Sequence, residues 1–164
     1  TPEALPHYVD QKNLKLFARH GVYSESEMRS RLEIVLEEYA KTVRIEAATS
    51  VDMLRRMILP ACMAYGRTLA EGAAAKQSIG LPDLPEKELA TDLSRRITLL
   101  VQQTEHLEQV LEQVPADLEQ AALYYRKNVL PVMDEARVTA DGLEGRVAKN
   151  FWPMPDYADL LFYV

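Results

Sequence analysis

From Met28 to Ile58 the apolar residues return at steps of three and four: Met28, Leu32, Val35, Tyr39, Val43, Ala47, Val51, Leu54 and Ile58. That spacing keeps one face of an α-helix continuously apolar and does not fit a strand, whose faces alternate at every residue. Glu33, Glu37, Glu38, Lys41 and Arg44 fall on the other face, which is how a helix half in water is built. Ser24 followed by Glu27 predicts a capping box at the start, each side chain satisfying an otherwise free amide, and Val22 is placed to staple onto Met28. Pro60 lacks an amide donor and crowds the carbonyl one turn back, so a kink near Met57 is expected rather than a stop. The helical pattern continues to Lys76, which would make an unbroken rod roughly 75 Å long.

Two further runs complete the pattern. The loop Gly80-Leu81-Pro82-Asp83-Leu84-Pro85 leads into a helix that Pro85 suits as a first residue. Its inner face carries Leu89, Leu93, Ile97, Leu100, Leu107, Leu111 and Val114. Pro115 ends it. The third run begins near Asp117 and carries Leu118, Ala122, Tyr125, Val129, Met133, Ala136, Ala140, Leu143 and Val147, ending near Lys149. Val129-Leu130-Pro131 repeats the pattern of Ile58-Leu59-Pro60. Before these, residues 3–20 form a short helical lead-in with Leu5, Tyr8, Val9, Leu14, Leu16 and Phe17 as its apolar set, closed by Gly21 in a left-handed cap. Short connections between long helices give antiparallel neighbours. The expected fold is all-α: an elongated antiparallel bundle of three long, proline-kinked helices, with a short N-terminal helix and an extended apolar C-terminal arm. It reads as one domain, with a lead-in over 1–21, the bundle over 24–149 and the arm over 150–164.

Composition agrees. Hydrophobic residues make up 48% of the chain but aromatics only 7%, and six glycines are too few for a turn-rich β fold. A length of 164 residues buries a core without disulfides or metal. The net charge of −6, with basic residues interleaved among acids, argues against a nucleic-acid or anionic-membrane surface. Cys62 is the single cysteine, which rules out an internal disulfide, and its apolar neighbours suggest a buried thiol rather than an activated one. No run has the order of a signal peptide and no apolar stretch approaches the roughly 20 residues of a bilayer span, so a soluble cytoplasmic protein is expected. The start at Thr1-Pro2-Glu3, without methionine, reads as a piece of a longer protein.

The arm concentrates what the bundle pattern does not use. Trp152, the only tryptophan, stands with Tyr157, Leu160, Leu161, Phe162 and Tyr163 at the chain end. Pro153 and Pro155 stiffen Trp152-Pro153-Met154-Pro155, and a stiff arm loses little entropy on docking. So much apolar surface is not left in water. The arm either closes over the domain's own core or enters a partner.

Chemistry is harder to find. No glycine-rich phosphate loop occurs, since Gly66 and Gly72 lie inside a helix. His7, His20 and His106 are far apart, and none stands three residues after a glutamate as a di-iron bundle requires. His106 beside the second stripe would serve as a general base if a carboxylate oriented it, but packing or solvation is the simpler role. Glu46, Asp52, Arg55 and Arg56 interrupt an apolar stretch; Asp52 and Arg56 are spaced for a helix-surface ion pair. Tyr65-Gly66-Arg67 and Tyr124-Tyr125-Arg126 offer rings and guanidinium groups to a ligand, though core rings with snorkelling arginines account for them equally.

Several runs, in order, resemble a known family: His20-Gly21-Val22-Tyr23-Ser24-Glu25, Arg31-Leu32-Glu33-Ile34-Val35-Leu36-Glu37-Glu38-Tyr39, Ile45-Glu46-Ala47, Val51-Asp52-Met53 and Ile58-Leu59-Pro60-Ala61. So does Trp152-Pro153-Met154-Pro155-Asp156-Tyr157-Ala158-Asp159-Leu160-Leu161-Phe162, with Asp156 where the family has threonine. Together they are similar to the C-terminal region of type III glutamine synthetase, the long-chain bacterial form, from Thr1 to Phe162. The resemblance implies a helical extension behind a catalytic body that condenses glutamate with ammonium, using ATP and Mg or Mn through a γ-glutamyl phosphate. It implies stacked hexameric rings, with the extension packing on the catalytic body or a neighbouring subunit, and no catalytic, cofactor or metal residue within this chain. Trp152, Pro153, Pro155, Tyr157, Asp159, Leu160, Leu161 and Phe162 are then the docking residues. The rival from the residues alone is a free-standing helical adaptor that binds another protein through a bundle face and the arm.

Overall fold

A computed structural model describes residues 2–81, 85–155 and 157–161, with the side chains of Tyr157 and Ala158 outside the description. Every regular element among them is helical. A 3₁₀ turn, Leu5–Val9, precedes α1 (Gln11–Arg19), α2 (Glu25–Met53), a π-turn (Leu54–Ile58), α3 (Leu59–Ser78) and α4 (Pro85–Glu112). Then come α5 (Leu118–Tyr124), a second π-turn (Tyr125–Val129), α6 (Leu130–Glu144) and α7 (Tyr157–Leu161). The chain divides into two compact units, one of Thr1–Thr49 with Leu107–Val132 and one of Ser50–His106 with Met133–Val164.

The predicted helix ends are present in atomic detail. The Ser24 amide donates to Glu27 Oε2 at 2.7 Å while the Glu27 amide donates to Ser24 Oγ at 3.3 Å, the reciprocal capping box. Those contacts from Ser24 hold the Glu27 carboxyl below its ordinary value. Val22 stays exposed while Met28 is fully buried, so burial at this corner comes from Met28. Gly21 adopts φ +63°, and the Val22 amide reaches the Phe17 carbonyl at 3.0 Å, which closes α1 by the glycine-dependent route. Asp117 accepts from the Gln120 amide at 2.9 Å and starts α5.

Three boundaries differ from expectation. The lead-in is not one helix: Asp10, with ψ 144°, separates the 3₁₀ turn from α1, because Pro6 gives its segment no continuous amide ladder. The third run stops at Glu144 rather than near Lys149. Gly145 comes next, and the amides of Arg146 and Val147 both turn back to the Leu143 carbonyl at 2.9 Å. The arm is extended only in part, since Tyr157–Leu161 forms a helical turn.

Neither internal proline ends its helix. Each is preceded by one π-turn, with the Leu59 amide bonded to the Leu54 carbonyl and the Leu130 amide to that of Tyr125. A π-turn widens the helix by one residue and is a common answer to a disturbed ladder. Here it opens space against the carbonyl that a proline ring would otherwise strike.

In the second unit, Leu54, Ile58, Leu59, Cys62 and Leu69 meet Leu93 and Leu100 of α4 and Ala136, Ala140 and Leu143 of α6 in one core. Leu100, Cys62 and Leu143 are wholly inaccessible. Burial pushes the Cys62 thiol up to about 11, in keeping with the inert role expected of it. In the first unit Met28, Leu36, Ala40, Val43, Ala47, Leu107, Ala122, Tyr125 and Val129 are buried. Its aromatic flank runs from Tyr8 through Phe17 to Tyr23, with ring centroids 6.2 and 5.7 Å apart, and Arg31 lies 4.5 Å over Tyr23. No helix among the described residues is long and apolar enough to cross a membrane.

Candidate functional site: the C-terminal arm and the groove beneath it

The arm begins where Phe151 and Trp152 turn back on the end of the preceding segment. Their amides donate to the Ala148 carbonyl at 2.8 and 3.2 Å. That turn aims Phe151, Trp152 and Met154 at the second unit's core, where all three pack as half-buried side chains. The Phe151 ring lies beside Tyr65 of α3. Beyond Pro155, Asp159 pairs with Lys149 at 3.1 Å, which fastens α7 to the residues just before the arm. Two ends of the arm are thus tied to this chain's own body, one by apolar packing and one by charge.

The expected docking residues separate into groups. Trp152 and Pro153 are half-buried and Pro155 is exposed. Asp159 is held by Lys149, while Leu160 and Leu161 project into solvent, 66% and 70% exposed. Tyr157 has its backbone in α7; its side chain, together with Asp156 and Phe162, lies outside the described residues. Phe151 and Met154 stand outside the expected set, although both are apolar residues of the same segment. Sequence reasoning also misses Lys149, because an ion pair ten residues apart carries no helical spacing signal.

Between α6, the end of α2, the first π-turn and the arm lies a groove of about 540 Å³. Met53, Ile58, Met133 and Ala140 form its floor, Trp152 and Leu160 part of a wall, and Asp134, Arg137, Asp141 and Glu144 its α6 rim. A second, shallower groove of about 760 Å³ runs between α3 and α4 over Gly66, Ala70 and Ala73, with Arg67, Lys87 and Arg95 at its edges. Around it Lys76 and Glu86 pair across the α3–α4 connection. At the far end of α6, Asp92 Oδ2 accepts from Arg96 Nε and Arg146 Nε, both at 2.9 Å.

The other side chains weighed from sequence have ordinary surroundings. Asp52 pairs with Arg56 at 3.1 Å on the helix surface, and Arg67 with Glu71 at 2.6 Å. His106 stands exposed on α4 and Glu46 on α2. Tyr125 is buried, as a core ring is, and burial raises its hydroxyl. Among the described residues no three His, Cys, Asp or Glu side chains converge to hold a metal.

Comparison with known proteins gives this chain relatives. The sequence profile described as the glutamine synthetase C-terminal domain matches residues 1–77. A protein named Type-3 glutamine synthetase from Dictyostelium discoideum is 32% identical over 99% of this chain, which corresponds to 23% of that relative. Proteins named glutamine synthetase from Butyrivibrio fibrisolvens and from Bacteroides fragilis (strain YCH46) are each 29% identical over 98% of the chain, covering 24% and 23% of their own lengths. The chain thus spans about a quarter of the length of the curated relatives it matches. Residues 1–77 thus carry the profile of the glutamine synthetase C-terminal domain, and nearly the whole chain is similar to a part of these type-3 and other glutamine synthetases.

Proposed function

We propose that this chain serves as the non-catalytic, C-terminal helical domain of a type III glutamine synthetase, acting as a single domain that packs on the catalytic body or on neighbouring subunits. The observation that carries this reading is the mismatch of coverage: the alignment takes in 99% of this chain yet 23% of the first relative. A segment of that proportion is one part of a larger machine. The parent reaction is then the ATP-dependent ligation of ammonium to glutamate with Mg or Mn, in a cytoplasmic assembly of stacked hexameric rings. Its substrates and metal belong to the catalytic body. The three-helix bundle reading goes with this proposal, and it is supported by the single core that α3, α4 and α6 share in the second unit. Bends at Pro60 and Pro131 are part of the same reading, supported by the π-turn before each.

The docking role falls to residues 152–162, whose exposed Leu160 and Leu161 are apolar surface still uncovered. Reading the gene upstream of the Thr1 codon tests the assignment. An in-frame catalytic body supports it; a start codon in its place overturns it and leaves the helical adaptor, which the same exposed leucines favour. Truncating the parent before Asn150 and sizing the assembly tests the arm. A smaller or weaker oligomer is expected, and an unchanged oligomer with unchanged turnover would remove the anchoring role.

A further inference from the structure

The groove beneath the arm is one-sided in charge. Its α6 rim presents Asp134, Asp141 and Glu144 against one cation, Arg137. Arg137 lies 3.8 Å from Asp141, so that pair is close to neutral. Asp134 and Glu144 have no ion-pair partner among the described residues. By the rise of a helix the two stand roughly 15 Å apart along α6. Between and below them the surface is apolar and adaptable, with Met53, Met133 and Trp152 facing the opening. Methionine side chains repack around varied apolar partners, and a tryptophan offers both contact area and a face for cations.

These features select an occupant. An acidic segment would meet like charge at both Asp134 and Glu144, and a purely apolar one would leave these two carboxylates beside a surface from which water is being removed. An amphipathic helix laid in a groove supplies apolar anchors at helical spacing, and basic residues at its edge would answer the rim. We propose that this groove receives a basic amphipathic helix from a partner, with apolar side chains seated on Met53, Met133 and Trp152 and with lysine or arginine side chains about 15 Å apart paired to Asp134 and Glu144. The inference rests on the packing role proposed above, in that it gives the chemistry of the surface this domain meets. The arm is a wall of the groove, so an occupant that contacts Trp152 also clamps the arm, which the Lys149–Asp159 pair already ties to the residues before it.

Trp152, the only tryptophan of the 164-residue chain, reports the event directly. The chain is titrated with a helical peptide that carries leucines on one face and lysines on its flanks, and with the same peptide having glutamate at each lysine. The lysine peptide is expected to shift Trp152 emission saturably and to bind at least about tenfold more tightly than the glutamate peptide at low salt, with the gap closing as salt is raised. Asp134→Asn and Glu144→Gln, both conservative changes at exposed positions, are expected to weaken the lysine peptide about threefold each. Equal affinity for the two peptides, no saturable change at Trp152, or unchanged affinity in the double variant would each overturn the inference. An assembly and turnover unaltered by truncation before Asn150, together with charge-selective capture here, would instead overturn only the arm's anchoring role and leave this groove's chemistry standing.

Discussion

The Phe151 ring lies 5.3 Å from the Tyr65 ring, tilted by 52°, so the first aromatic of the arm is held by a residue of α3 more than eighty positions earlier in the chain. Such tilted pairs add about 0.5–1.5 kcal/mol to the burial of the rings themselves. Phe151→Ala is expected to lower stability by about 2 kcal/mol, less than for a fully buried ring because Phe151 is only half-buried. Urea midpoints measure the loss. Faster hydrogen exchange across Trp152–Leu161 would show that the arm has come away first.

Adjacent residues of α4 should respond in opposite ways. Leu100 is fully buried in the second unit's core, and Leu99 is 45% exposed. Leu100→Ala should cost about 2–5 kcal/mol, and Leu99→Ala within about 0.5 kcal/mol of nothing. Thermal unfolding of the two variants side by side gives the comparison.

How far the sequence disclosed this fold is clearest along α2. The apolar period predicts Met28, Val43, Ala47, Leu54 and Ile58 as buried, and they are. It also predicts Val35 and Tyr39, whereas the structure buries Leu36 and Ala40 one position on and leaves Val35 41% exposed. With Ile34, Val35 and Leu36 all apolar, periodicity alone admits neighbouring phases, and only the surface packed against the helix decides between them. The caps at Ser24, Glu27 and Gly21 were legible because they act over three or four residues, and the start near Asp117 was read without its capping role. The groove was not, because Met53, Met133 and Trp152 lie far apart in sequence and nothing local marks their convergence. The arm's apolar content was plain, but its helical turn at Tyr157–Leu161 was hidden by the two prolines before it.

Two glycines inside α3 make a controlled pair. A Cβ on Gly72 would meet nothing within 4 Å, and one on Gly66 would come within 3.3 Å of Leu93 Cδ2. Neither has the positive φ that makes glycine necessary. Gly72→Ala should therefore raise stability by about 0.5–1 kcal/mol through backbone entropy alone. Gly66→Ala should gain less or lose, since Leu93 is 2% exposed in a packed core and has little room to give. Chemical denaturation resolves both signs.

Asp92 supplies a pH dependence with a definite direction. The Arg96 guanidinium first, then that of Arg146, holds its carboxyl below the usual carboxylate value. A carboxyl depressed in the folded state contributes stability above its unfolded pKa of about 3.9 and loses that contribution as pH falls through the folded value. Wild-type protein should be more stable than Asp92→Asn at neutral pH. The two should converge below about pH 4, and urea midpoints taken across that range check the convergence.

Cys62, wholly inaccessible in the core and pushed up to about 11 by burial, should resist thiol reagents in the folded protein. Labelling at mildly alkaline pH is expected to track unfolding, rising along the urea transition seen by circular dichroism. Rapid labelling without denaturant would show that the core around α3 opens readily.

The π-turns at Leu54–Ile58 and Tyr125–Val129 each hold one residue more than an α-helix needs to cover the same distance. Loss of a single residue within either would return the local ladder to the α form without rotating the later turns of the helix: Leu59, Cys62 and Leu69 would keep the same azimuth as Leu54 toward the core they share. One-residue length differences among homologous sequences are thus geometrically cheap at these two positions, whereas elsewhere in the same helices each would swing every later side chain by about 100°. Where an alignment of such domains needs a lone gap in a long helix, these five-residue windows are where the backbone can absorb it.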